Sequence, residues 1–152
     1  INFGGSMMDR LYNSKFEIRP RIMLLATYDS GRNFSEDQLI AFDFMKVYSH
    51  EFIADGHSLH GDNGFKYSEF SARKEAVSDA IKALVRQGLL KVDLKDGFRY
   101  SATDSGIQCY NGMESSYALE YREQLGLILQ QYSNYSESEL QKLIRMKAIK
   151  DD

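Results

Sequence analysis

The sequence predicts a mainly α fold of the α+β kind: a winged helix-turn-helix domain with a two-stranded wing and a C-terminal helical extension. Three observations predict it. Residues 72–87 carry an apolar stripe at helical spacing (Val77, Ala80, Ile81, Leu84), closed by Gly88. Two short alternating runs follow at once, separated by the turn-forming Lys95-Asp96-Gly97. Upstream, Ser35-Glu36-Asp37-Gln38 has the form of a capping box and leads into a segment that is apolar nearly all round, as a central helix would be.

Taken in order, residues 12–18 read as extended up to Pro20, which can open a helix without losing a hydrogen bond. Ile22, Leu25 and Ala26 then recur at helical spacing, predicting a first helix over residues 20–28. The second helix holds Leu39, Ile40, Ala41, Phe42, Phe44, Met45 and Val47, with Asp43 among them. A buried carboxylate is costly without a partner. The expected structural ion pair joins Asp43 to Arg21, or to Arg19 on the same helix. Residues 50–66 read as irregular, 67–70 as a single helical turn, and Ser71 as the cap of the next helix.

In the hairpin, Leu90, Val92 and Leu94 share one face with Phe98, Tyr100 and Ala102, and that face is expected to lie on the core. Thr103 or Asp104 caps another helix. Tyr117, Tyr121, Leu125, Ile128 and Tyr132 form one helical stripe, and Ser136 with Glu139 forms a second capping box before Leu140, Leu143 and Ile144. The expected organisation is an expression scar over residues 1–7, a winged-helix domain over 8–112, and a helical extension over 113–152 packed on it.

Composition narrows the function classes. The 152 residues are 43% hydrophobic and 27% charged, ordinary for a chain with a real core. Net charge is −3, whereas free-standing DNA binders usually carry a basic excess. A single cysteine, Cys109, excludes an internal disulfide and suits a reducing compartment. With no apolar run near the ~20 residues that span a bilayer, a cytoplasmic chain with no membrane contact is expected. The sequence has no Walker A loop, GxSxG, HExxH or CxxC motif, so no enzyme, catalytic residue or cofactor is expected.

Surface chemistry supplies the candidate contacts. In a helix-turn-helix the second helix reads the major groove through its N-terminal residues, here including Arg73 and Lys74. Its far face carries Glu75, Asp79, Lys82 and Arg86, an even balance of charge that suits a protein surface better than phosphates. Candidate DNA contacts on the wing are Lys91, Lys95 and Arg99, opposed by Asp93 and Asp96. His57 and His60 with Asp62 could in principle hold a metal, yet the pattern lacks a supporting cysteine pair. A binding loop is the better reading, and no metal site is expected.

The segment SLHGDNGFKYSEFSARKEAVSDAIKALVRQGLL resembles the middle component of bacterial three-component ABC/SMC-type systems, grouped with the Lamassu anti-phage systems. Arg21, Phe42-Asp43, Ser58-Leu59-His60, Glu69, Arg73-Lys74 and the later SSYALEYREQL carry the resemblance, which covers roughly residues 16–144. Gly61-Asp62-Asn63-Gly64 departs from a loop that is often Pro-rich in the family, and Lys74 stands where a second Arg would be expected. The resemblance implies an accessory subunit that bridges an SMC-like coiled-coil ATPase and restrains an effector, in the expected case a nuclease, with DNA reached through the complex. Its partner-binding candidates are then His57, His60, Asp62, Arg73, Lys74, Lys82 and Arg86, with apolar docking through Tyr117, Tyr121 and Leu125. The rival reading is a DNA-binding transcription regulator that dimerises through its C-terminal helices. A metal-dependent enzyme using His57 and His60 ranks last.

Overall fold

The structure, a computed structural model, describes residues 15–29, 32–53 and 67–150. These form a mainly helical α+β arrangement: α1 (Lys15–Tyr28), α2 (Glu36–Val47), α3 (Ser49–Phe52), α4 (Tyr67–Arg86), β1 (Leu90–Asp93), β2 (Arg99–Ala102), α5 (Asp104–Tyr110), α6 (Ser116–Tyr132) and α7 (Glu137–Lys150). The expected terminal scar and the histidine loop with His57, His60 and Asp62 lie outside the described residues.

Helix α1 starts five residues before the expected Pro20 and carries that proline inside it. The reason is burial. Ile18, Ile22 and Leu25 occupy one face and are all enclosed, so the turn before Pro20 gains more by packing than it loses in one backbone hydrogen bond. Helix α2 begins as its sequence dictates. The Ser35 hydroxyl accepts from Gln38 N at 3.1 Å while Gln38 Oε1 accepts from Ser35 N at 3.0 Å. Every residue from Leu39 to Met45 is buried, which makes α2 the central element.

Ser71 does not cap a helix; α4 runs through it without a break. Phe70 explains the difference. It is buried against Phe44, ring centroids 5.1 Å apart, and begins the stripe that continues through Val77, Ile81 and Leu84. Ser71 falls on the exposed side, where a helical serine is tolerated. Gly88, at φ 74°, ends the run and turns the chain into β1.

Strands β1 and β2 pair antiparallel in the register Leu90↔Ala102 to Asp93↔Arg99, closed by Asp96 at φ 53° and Gly97 at φ 89°. Phe34 forms an isolated antiparallel bridge to Tyr100, its N–H donating to Tyr100 O at 2.9 Å and its O accepting from Tyr100 N at 2.7 Å. The expected burial of the whole apolar hairpin face is corrected. Leu90 and Ala102 at the base lie in the core, but Val92, Leu94 and Phe98 are 44%, 72% and 62% exposed. The core supports only the base of the ribbon, and the tip projects past it.

Thr103 joins hairpin to α5. Its hydroxyl donates to Gly88 O at 2.6 Å and accepts from Gly106 N at 3.0 Å. Helices α6 and α7 then fold back over α2, and Leu125, Ile128, Leu140 and Ile144 enter the same buried core as α1 and α2.

Gly106 marks the tightest approach. A β-carbon there would overlap the Leu89 carbonyl oxygen and come within 2.8 Å of Met23 Cε. One at Gly126 would meet mainly the Tyr28 hydroxyl, the free end of an exposed side chain. Gly106→Ala is therefore expected to destabilise the chain by about 1–3 kcal/mol and Gly126→Ala by clearly less. Urea unfolding of both variants checks this; equal losses would contradict the packing described.

Candidate functional site

Two clusters of chemistry-bearing side chains stand out, one inside the fold and one on its surface. Inside, Arg21 of α1 and Asp43 of α2 meet as a fork: Nε to Oδ1 at 2.9 Å and Nη2 to Oδ2 at 3.1 Å. Both side chains are sealed from solvent, at 2% and 1% exposure. The Tyr121 hydroxyl of α6 donates to the same Asp43 Oδ1 at 3.1 Å. One carboxylate thus ties three helices, each of which the sequence separates widely.

The local electrostatics follow from burial. Burial alone would push the Arg21 charge off, but the Coulombic pull and hydrogen bonds of Asp43 outweigh it and hold the guanidinium above its ordinary value. Burial drives Tyr121 well above the usual tyrosine range, with the adjacent Asp43 charge adding to it, so Tyr121 stays a donor. Lys46 lies one turn on, its Nζ 4.9 Å from the Tyr121 ring centroid and 5.9 Å from that of Tyr117. Burial pulls its pKa down from the ordinary lysine value, partly opposed by Asp43.

On the surface, the start of α4 meets the end of α2. The Tyr48 hydroxyl donates to Glu69 Oε2, and the Arg73 guanidinium sits 5.7 Å from the Tyr48 ring centroid. Burial, followed by the hydrogen bond to Glu69, pushes Tyr48 up to about 12. Lys74 Nζ lies 5.1 Å from the Phe70 centroid, and Arg145 of α7 stands 5.5 Å over Tyr67. In each pair the charged head itself lies over the ring, a cation–π arrangement. Glu69 and Arg73 were legible in the sequence; Tyr48 and Arg145, which complete the cluster, carried no local signal.

The other expected site residues separate. Lys82 and Arg86 are exposed on α4. Lys91 and Lys95 are exposed on the hairpin, whereas Arg99 donates to Gln38 Oε1 at 3.0 Å and so braces the hairpin on the α2 cap. The expected docking stripe on α6 needs correction. Tyr121 and Leu125 are fully buried, as is Ile128, because this face packs on α1 and α2; only Tyr117 remains half-exposed. In the folded chain Tyr121, Leu125 and Ile128 are enclosed by the chain itself and are not part of its surface. The outward apolar residues of α6 are instead Leu119 and Leu127, at 55% and 44% exposure. Cys109 is exposed, and among the described residues no group of three or more His, Cys, Asp or Glu side chains is placed to hold a metal.

Together these features define a small, mainly helical α+β protein with a closed ionic centre and ring-supported charges on its surface. The chain belongs to the family of Middle Component 2 (MC2) of ABC-three component (ABC-3C) systems, whose model matches residues 11–151. As a middle component it partners other components of such a system. Neither curated proteins nor solved structures give a significant match to the chain. Among the described residues no helix is long and apolar enough to cross a membrane.

The ionic centre makes a direct prediction. Asp43→Ala leaves the Arg21 charge buried and uncompensated, an expected loss of about 3–5 kcal/mol in unfolding free energy. Replacing both partners, Arg21→Met with Asp43→Leu, should recover part of that loss, since an apolar pair needs no solvation while the Tyr121 hydroxyl loses its acceptor. Thermal or urea unfolding of the single and double variants decides it. Equal losses in both would show that the pair is not coupled as its geometry requires.

Proposed function

We propose that the chain is a non-catalytic accessory subunit of an SMC-like ATPase complex of the Lamassu-like anti-phage kind, acting in the cytoplasm, where it bridges the ATPase and restrains a nuclease effector. The observation that carries this reading is the MC2 match over nearly the whole chain, residues 11–151. Geometry adds support. The most deeply buried ionisable groups satisfy one another in the core, and the surface charges at the start of α4 are braced by rings, an arrangement suited to presenting fixed contacts.

The element order supports a winged-helix reading of the same region. Helix α1, the Phe34 bridge, α2, α4 and the β1–β2 hairpin follow the order helix, strand, helix, helix, wing. In that reading α4 is the helix a DNA-binding relative would lay in the major groove. Its mixed face, with Glu75 and Asp79 beside Lys82 and Arg86, favours a protein surface over phosphates. The regulator alternative loses its C-terminal dimer seam to the chain's own core.

Affinity capture of the full chain from its native host, followed by mass spectrometry, tests the proposal. A large coiled-coil ATPase and a nuclease at near-equal amounts are expected. Arg73→Glu with Lys74→Glu should reduce their recovery at least about tenfold while circular dichroism stays unchanged. A lone homodimer retaining duplex DNA would contradict the proposal.

A further inference from the structure

A cleft of about 200 Å³ lies where α1 packs on α4, lined by Arg19, Asp79, Ala80, Lys82 and Arg86. Lys82 and Arg86 are four residues apart and share a face of α4, a spacing at which like charges repel. Arg19 brings a third cation from α1. Among the described residues Asp79 is the one acid of the lining, so their balance is positive on a chain whose net charge is −3. Arg19 Nε is enclosed and has no hydrogen-bond partner among the described residues. An enclosed donor left unbonded is unfavourable, and a guanidinium carries further donors that match the two oxygens of a carboxylate. Lys82 and Arg86 are exposed and long enough to fold over a group seated beside Arg19.

We propose that this cleft binds a carboxylate presented by an acidic segment of a partner protein, an inference that rests on the accessory-subunit reading. A compact anion suits the setting better than a nucleic-acid strand. Glu75 and Asp79 precede Lys82 and Arg86 along the same face of α4, so an extended run of phosphates following the helix would meet carboxylates within two turns. A single acidic side chain, or a short acidic run entering at the Arg86 end, reaches Arg86 and Lys82 before Asp79, and meets three cations against one acid among the described lining residues. Binding would relieve the mutual repulsion of the three cations, which gives the site selectivity for negative charge without a deep pocket.

The probe is a hexaglutamate peptide titrated into the isotope-labelled full chain at low salt and followed by NMR. Shifts confined to the Arg19 side-chain Nε–H and the backbone around Lys82 and Arg86 are expected. Lys82→Glu with Arg86→Glu should weaken them at least about tenfold, while Lys142→Glu on α7, away from the cleft, should leave them unchanged. Both cleft positions are exposed, and Arg86→Glu alone provides a milder variant should the double one disturb folding. Shifts spread evenly over all surface lysines, or unaltered in the cleft variants, would overturn the proposal. So would a short DNA duplex or inorganic phosphate that moves the same three residues at lower concentration than the peptide. The two readings fail separately. Intact capture of an ATPase and nuclease with no peptide binding removes the cleft alone, whereas peptide binding without any captured component removes the accessory role.

Discussion

The Asp43 carboxylate is the constraint on which the rest of the structure depends. Placed in the middle of a helix whose neighbours from Leu39 to Met45 are all buried, it cannot reach water. It must therefore be met by a cation with near-ideal geometry and by further donors for its remaining lone pairs. Arg21 supplies the first as a two-point fork and Tyr121 the second. Each requirement fixes a helix: α1 in rotation and height relative to α2, and α6 against both. A slip of one residue in any of them would separate donor from acceptor and leave a charge alone in a low-dielectric interior.

That fixing determines what the chain can offer to others. Because Tyr121 must reach Asp43, the α6 stripe faces inward, and Leu125 and Ile128 follow it into the core. Tyr132 adds a second tie at the far end, its hydroxyl donating to Phe52 O at 2.6 Å. The C-terminal helices thus complete the buried core, and their inward face has no capacity left for a partner. Outward among the described residues are the start of α4 with its ring-braced Arg73 and Lys74, the cationic cleft at Arg19, Leu119 and Leu127 on α6, and a hairpin tip bearing Val92, Leu94 and Phe98.

Much of this was legible in the sequence, for reasons that differ by element. Capping boxes and glycine stops are local chemistry, so Ser35 with Gln38, Ser136 with Glu139, and Gly88 stand where their residue types demand. The need of Asp43 for a cation follows from its apolar neighbours alone. The choice of Arg21 over Arg19 does not, because it depends on helical phase, and α1 begins earlier than Pro20 suggests. A periodic stripe states which residues share a face but not what covers it. The same ambiguity placed the α6 stripe outside when it lies inside, and the hairpin tip inside when it lies outside. Tyr48 was invisible because its partners, Glu69 and Arg73, are distant in the chain and meet it only after α2 and α4 pack.

The central claim is that the buried tie makes the C-terminal helices part of one cooperative unit rather than an appended module. Native-state hydrogen exchange across a denaturant series tests it most directly. The account predicts that the slowest amides of α6, around Tyr121 and Leu125, open with the same free energy and the same denaturant dependence as those of α1 and α2. Slowest α6 amides that open at a clearly lower free energy, while α1 and α2 remain protected, would contradict it and return the α6 stripe to the surfaces a partner could use.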